Sequence, residues 1–228
     1  MITIKTDHPV AYDSIDQLCP NGIYLDNRVN LKYVQDVEQY HQNRKINYLD
    51  IGCAGGELVC VLNKRGHLAV GLDGSDHCLN IDTKMVQKFN QYPSGHENWK
   101  QFGNIHLFTC DVRYDYQIYQ DENLLQFDVI SAWDVMEHFE PTALDTVLKG
   151  IHRHLKPEGV FFASIHTFYY TYNEIEYHKS VFDETVWTNI LSKYFTKIPY
   201  PFHSWNRDEN DPLLGINNNF MYAGKREV

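Results

Sequence analysis

Two groups of residues in this chain have the types and spacing to do chemistry. The first is a set of aspartates around a glycine-rich turn. The stretch Tyr48-Leu49-Asp50-Ile51-Gly52-Cys53-Ala54-Gly55-Gly56-Glu57-Leu58 reads as a buried strand that runs through the turn into a helix. Glycine there lets the backbone bend sharply and lets a ligand lie against it with no Cβ in the way. Asp73 closes Val70-Gly71-Leu72-Asp73-Gly74-Ser75, and Asp111 stands in Leu107-Phe108-Thr109-Cys110-Asp111-Val112, each at the end of a further apolar run. Carboxylates at the carboxyl ends of successive parallel strands converge on one crevice, the place where open α/β sheets bind ligands. The second group is Asp134, Glu137 and His138, which follow another apolar run; spacings of three and four residues put them on one face of a helical turn.

The electrostatics of the turn select its ligand. A dinucleotide-binding turn needs a glycine or alanine at position 57, which holds Glu57. A carboxylate at that helix mouth repels a pyrophosphate, so an NAD-dependent oxidoreductase is the weaker alternative. S-adenosylmethionine carries a sulfonium and an ammonium group and no phosphate, so acidic groups favour it. Asp50 would reach the ammonium group, Asp73 the ribose hydroxyls and Asp111 the adenine amino group. Gly52, Cys53, Ala54, Gly55, Gly74, Val112 and Trp133 complete the candidate cofactor wall.

These elements call for a particular scaffold. Short apolar runs at Ile46–Ile51, Leu68–Leu72, Ile105–Thr109, Phe127–Ala132 and Val160–Ile165 alternate with helical patterns at Gly56–Lys64, Asp76–Asn90 and Thr142–Leu155, the signature of βαβ units. Lys156-Pro157-Glu158-Gly159 reads as a turn that ends the last of these helices. Farther on, Asp183–Tyr194 reads as a helix capped by Asp183, and Tyr194–Ile198 and Asn219–Ala223 as strands. The connection Pro199–Asn218 is long and aromatic, as functional loops are. Val29, Tyr33, Val34 and Val37 have helical spacing and suggest a helix over Val29–Tyr40 that covers the pocket. Residues 1–45 are therefore expected to form a helical lid, residues 46–228 the catalytic domain, and residues 167–218 its substrate side.

The sequence resembles the class I S-adenosylmethionine-dependent methyltransferases, whose first motif reads Asp-x-Gly-x-Gly-x-Gly. Asp50, Gly52, Gly55 and Gly56 fit that region, with Ala54 where the middle glycine is usual. The likeness runs from Ile46 to Ile165 and includes Phe127-Asp128-Val129-Ile130-Ser131-Ala132-Trp133-Asp134-Val135-Met136-Glu137-His138 and Leu155-Lys156-Pro157-Glu158-Gly159. It implies a Rossmann-like, seven-stranded, mainly parallel sheet in the order 3-2-1-4-5-7-6 with helices on both faces. Asp134, Glu137 and His138 are also similar to the Glu-x-x-Glu-His segment of the ubiquinone-biosynthesis O-methyltransferases, with Asp for the first Glu. Asn30 stands where those relatives carry a cofactor-binding Arg, with Arg28 and Lys32 as neighbours.

Three readings of the acidic-histidine group stay open: a divalent-metal site, a general base, and a structural turn held by its own hydrogen bonds. His138, His166 and Glu137 are the candidate catalytic residues, and no metal ligand is assigned. His166 follows the run Val160–Ile165 on the same rim, and His178 lies in Glu176-Tyr177-His178-Lys179-Ser180. The aromatic segments Phe168–Tyr172 and Tyr200–Arg207 suit either a small-molecule pocket or satellite core.

Composition narrows the partners. A net charge of −10 without a basic cluster makes nucleic acid a poor partner and leaves a small-molecule substrate. No apolar run reaches the length of a signal peptide or a membrane span, and the five cysteines form no Cys-x-x-Cys pair. A cytoplasmic enzyme with reduced thiols is expected, its oligomeric state left open. A relative that binds S-adenosylmethionine without turnover is the other alternative.

Overall fold

A computed structural model describes residues 1–20, 29–79, 99, 106–172, 174–202 and 219–226. Its centre is a seven-stranded sheet. Five strands are parallel to one another: β2 (Asn47–Ile51), β3 (Leu68–Asp73), β4 (His106–Thr109), β7 (Phe127–Trp133) and β8 (Leu155–His166). Two more, β11 (Thr196–Lys197) and β12 (Asn219–Lys225), add antiparallel at one edge. Read across, the sheet runs β4-β3-β2-β7-β8-β12-β11. Numbered by their order within this sheet, the strands follow 3-2-1-4-5-7-6, as the resemblance implied.

Both faces are covered because the strand side chains alternate between two cores. Leu49, Ile51, Ile130, Phe161 and Ala163 point to one core, where they meet α4 (Leu144–His154) and α5 (Glu184–Leu191) through Val147, Leu148, Ile151, Trp187 and Leu191. Tyr48, Val129, Val160 and Phe162 point to the other, against α2 (Leu31–Tyr40) and α3 (Glu57–Lys64) through Tyr33, Val34, Val37, Val59 and Leu62. The caps are local. Asp183 Oδ1 accepts from the Val186 amide at 2.8 Å to start α5, and Asn30 Oδ1 accepts from Lys32 and Tyr33 at 2.9 and 3.3 Å to start α2. Asn30 thus serves as a helix cap at the position where an Arg would hold a cofactor carboxylate. Arg28 lies outside the described residues.

Three features depart from the expected elements. Residues 1–45 are not helical throughout: β1 (Ile2–Thr6) pairs antiparallel with β5 (Tyr116–Gln120), which pairs with β6 (Asn123–Leu124), while β9 (Thr171–Tyr172) and β10 (Ile175–Glu176) pair with each other beyond the central sheet. The expected turn at 156–159 lies within β8, whose Leu155 pairs with Phe127 before a register shift lets Val160 pair with Val129. The strand absorbs the extra residues as a bulge, with Glu158 at φ +62° and its amide bonded to the Arg226 carbonyl at 3.0 Å. Of the helix expected at 76–90, the described part is a 3₁₀ turn, Asp76–Leu79; the remainder, the bulk of the 199–218 connection and Ile105 lie outside the described residues.

Residues 8–19 run across the carboxyl ends of the strands. The Asp111 amide donates to the His8 carbonyl at 2.9 Å and the Ala11 amide to the Gly74 carbonyl at 2.8 Å. In the short helix α1 (Ile15–Leu18), Gln17 Oε1 accepts from the Ser75 hydroxyl at 2.7 Å while its Nε2 donates to Asp76 at 2.8 Å.

Candidate active site

The glycine turn links β2 to α3. Gly52 has φ +72°, and a Cβ there would stand 2.2 Å from Val135 Cγ2. Gly56, at φ +80°, caps α3. Ala54, in the place of the family's middle glycine, also takes a left-handed φ of +44°, a conformation that costs an L-residue about 1–2 kcal/mol. Two contacts hold it there: its amide donates to Asp73 Oδ2 at 2.9 Å, and its carbonyl accepts from Trp99 Nε1 at 2.8 Å. Cys53 and Gly55 are buried within the turn, Trp133 is buried in the same core as Cys53, and Val112 is buried in the other core.

The three predicted carboxylates differ in their partners. Asp50 is buried and accepts from the Ser131 hydroxyl at 2.6 Å; burial pushes its pKa up to about 7. Asp73 accepts from the amides of Ser75 and Ala54, yet burial still raises it to about 6. The described partners of both are neutral. Asp111 instead faces Arg113, whose Nε and Nη2 reach its two oxygens at 2.8 and 2.6 Å. Arg113 was not singled out in the sequence.

The second group gathers at the end of β7. Asp134 takes φ +53°, a conformation aspartate tolerates, and its Oδ1 accepts from Ser164 Oγ at 2.6 Å and Asn219 Nδ2 at 2.8 Å. Its Oδ2 lies 3.6 Å from His166 Nε2, which is also 3.9 Å from Glu137 Oε1. Glu137 is fully buried on the 3₁₀ turn Met136–His138, and burial raises its pKa. Burial acts to lower His138, but Asp16, Glu137 and Asp134 outweigh it and lift the imidazole to about 9. His138 Nδ1 meets Asp16 Oδ2 on α1 at 3.1 Å. His178 stacks on both His138 and His166, with ring centroids 5.5 and 5.0 Å apart.

The structure brings His138, His166 and Glu137 into one cluster and adds residues the sequence reading missed. Asp16 sits in a polar stretch whose one local signal is the cap Ser14, bonded to the Gln17 amide at 3.2 Å. Trp99, Ser131, Ser164 and Asn219 carry no local sign of their role.

The chain matches a methyltransferase-domain family model over residues 25–203. This chain belongs to that methyltransferase domain family. It is similar to the ubiquinone biosynthesis O-methyltransferase of Histophilus somni (strain 2336), 27% identical over 158 residues, covering 64% of this chain and 56% of the relative. The protein of the same name from Coxiella burnetii (strain RSA 493 / Nine Mile phase I) is 27% identical over 144 residues, covering 63% of this chain and 52% of its own. The chain spans about half the length of the curated relatives it matches. Among solved structures, an S-adenosylmethionine-dependent methyltransferase from Clostridium acetobutylicum ATCC 824 aligns with a TM-score of 0.57 at 15% identity, covering 95% of this chain and 96% of that one. The 1,6-didemethyltoxoflavin-N1-methyltransferase of Burkholderia thailandensis, solved with S-adenosylhomocysteine, aligns at 0.52 and 16% identity, covering 93% and 84%. Both share the fold.

Proposed function

We propose that this chain is an S-adenosylmethionine-dependent methyltransferase that acts on an oxygen or nitrogen of a small-molecule acceptor. One observation carries the reading: Asp50 and Asp73 are buried carboxylates at adjacent strand ends, their described partners are neutral, and they flank a glycine turn that a side chain at position 52 would obstruct. Such a pocket favours a cationic ligand that lies against the main chain. Asp50 would hold the donor's ammonium group, Asp73 its ribose, and Asp111 with Val112 its adenine end. Gly52, Cys53, Ala54, Gly55, Gly74 and Trp133 would line the path between them.

Bound there, S-adenosylmethionine supplies an electrophilic methyl group on a sulfonium. The chain's own contribution is to hold the acceptor in line with that methyl group, a proximity effect worth up to about 7–11 kcal/mol. His166, whose side chain is 22% exposed, stands at the end of β8 with its Nε2 facing Asp134 and Glu137, and His138 is oriented by Asp16. His166, backed by the Asp134 and Glu137 carboxylates, takes up the proton the acceptor releases, while His138, lifted to about 9, stays positively charged beside them. Residues 8–19, lying across the strand ends, would cover the pocket, and the described part of the segment after His166 would supply its acceptor wall. The five cysteines, none in a disulfide, suit a reducing compartment, and the cytoplasm is the proposed location.

The test is a radiolabelled methyl-transfer assay against a panel of small alcohols, phenols and amines. Transfer to at least one acceptor, reduced tenfold or more by His166→Gln, is expected. Full turnover in a His138→Gln/His166→Gln double variant would remove the base from the account, and donor binding without transfer to any acceptor would leave a binding protein.

A further inference from the structure

The cluster behind the crevice contains a group that methyl transfer alone leaves unexplained. Glu137 is fully buried, yet neither of its carboxylate oxygens has a hydrogen-bond partner among the described residues. Its backbone is held in place. Its main-chain carbonyl is clamped by the amides of Lys179 and Ser180, at 2.7 and 3.0 Å, and it sits on a short 3₁₀ turn. A buried carboxylate without donors is costly unless something positive rests against it.

Two imidazoles face that carboxylate. One nitrogen or oxygen from each of Glu137, His166 and His178 lies within 4.8 Å of the other two. Ligand atoms around a cation, at bond lengths near 2.0–2.2 Å, stand about 3–4 Å apart, so small side-chain rotations would close the set. His178 is already prepared: its Nδ1 meets the Phe168 carbonyl at 2.6 Å, which places the proton on Nδ1 and leaves Nε2 as a lone pair. Metal-binding imidazoles are typically oriented by such a bond on the far nitrogen. His138 is turned elsewhere, to Asp16. Asp134 is fixed by Ser164 and Asn219, with its second oxygen 3.6 Å from His166 Nε2, the nitrogen that also faces Glu137.

We infer that Glu137, His166 and His178 form a binding site for a first-row divalent transition-metal ion such as Zn²⁺. Two nitrogen donors and one carboxylate suit zinc, manganese or iron, whereas magnesium and calcium prefer all-oxygen sets. The donor set differs from the Asp134, Glu137 and His138 grouping that spacing suggested, because the fold brings in two histidines from separate segments and points His138 away. Three protein ligands leave coordination positions open. There an acceptor bearing an anionic oxygen would take a place; this use of the ion rests on the proposed methyl transfer, while the ion's binding does not.

The experiment is a calorimetric titration of the chelator-treated full chain with Zn²⁺, paired with Co²⁺ absorption spectroscopy and, on the same preparation, a titration with S-adenosylhomocysteine. One equivalent of Zn²⁺ is expected, with affinity weakened at least a hundredfold by Glu137→Gln and by His178→Ala. His178→Ala should keep its affinity for S-adenosylhomocysteine within threefold, which shows that the variant is folded. A wild-type chain that takes up S-adenosylhomocysteine but no stoichiometric Zn²⁺ or Co²⁺ overturns the site, as does a His178→Ala variant that binds metal like wild type. Zn²⁺ uptake without S-adenosylhomocysteine binding supports the metal site and counts against the methyltransferase reading. If Glu137→Gln fails to fold, the Co²⁺ spectrum of the wild type and of His178→Ala decides alone.

Discussion

Buried aspartates at the two ends of the same sheet are treated in opposite ways. Asp128, at the amino end of β7, is met by Arg44 at 2.8 Å, Lys156 at 2.9 Å and the Asn47 amide at 2.8 Å. Burial works against its charge, but Lys156, the Asn47 amide and Arg44 outweigh it and hold the carboxyl below its usual range. Asp50 and Asp73, at the carboxyl ends of β2 and β3, have neutral described partners, and burial lifts them to about 7 and about 6. The contrast separates an acid that staples strands from two whose charge no described group of the chain meets; Asp111, at the end of β4 with Arg113 against it, belongs with the first kind.

The comparison breaks most readily at the turn itself. Gly52→Ala places a methyl group 2.2 Å from Val135 Cγ2 in a left-handed conformation, so we expect S-adenosylhomocysteine binding to be lost and stability to fall by about 3 kcal/mol in urea denaturation.

Exchanging the charge at each end should then give mirror-image outcomes. Asp128→Asn is expected to lower stability by about 2 kcal/mol, since it leaves Arg44 and Lys156 facing a neutral group, and to keep ligand affinity within twofold. Asp50→Asn should do the reverse: unchanged or slightly higher stability without ligand, and affinity for S-adenosylhomocysteine reduced about ten- to a hundredfold, as befits one charge-assisted hydrogen bond. Equal loss of affinity in the two variants would erase the distinction.

The pH dependence sharpens it. Because the folded pKa of Asp50 is raised to about 7, the contribution of this group to stability is full below its unfolded pKa and is lost as pH rises toward and through 7. Ligand affinity runs the other way: the carboxylate that attracts an ammonium group forms over the same window, so binding should tighten several-fold between pH 6 and pH 8. Thermal shift with S-adenosylhomocysteine across that range, in wild type and Asp50→Asn, reads both slopes; a variant as steep as wild type would assign them to another group.

The smallest effect concerns Ala54. Relief of its left-handed strain in Ala54→Gly, partly offset by the freer unfolded chain, should raise stability by about 0.5–1 kcal/mol. Urea denaturation resolves a change of that size, and a loss of stability would mean that the Asp73 and Trp99 contacts already relieve the strain.

How much of this was legible in the sequence follows from the same division. The proposed cofactor crevice is made of strand ends and one turn, so its three acids announce themselves locally, each closing an apolar run, with glycines beside the first two. The sheet order was legible for that reason, too. The acceptor side is assembled across the chain. His138 meets Asp16 over 122 positions and Asp134 meets Asn219 over 85, separations that no periodicity records. Asp134, Glu137 and His138 did mark the place, but their spacing described a helical turn with all three on one face, whereas the 3₁₀ turn buries Glu137 and turns His138 to α1. The strand at Ile2–Thr6 carried a legible alternation, Ile-Thr-Ile-Lys-Thr, that its polar surroundings masked; its partner, Tyr116–Gln120, shows the matching pattern.

The most direct measurement is calorimetric titration of the wild-type chain and of Asp73→Ala with S-adenosylmethionine and with NAD. One site for S-adenosylmethionine, weakened at least tenfold by the substitution, and no heat with NAD is the expected result. Absence of S-adenosylmethionine binding at millimolar concentration, or an Asp73→Ala variant that binds as tightly as wild type, would contradict the reading of those carboxylates as the seat of a cationic donor.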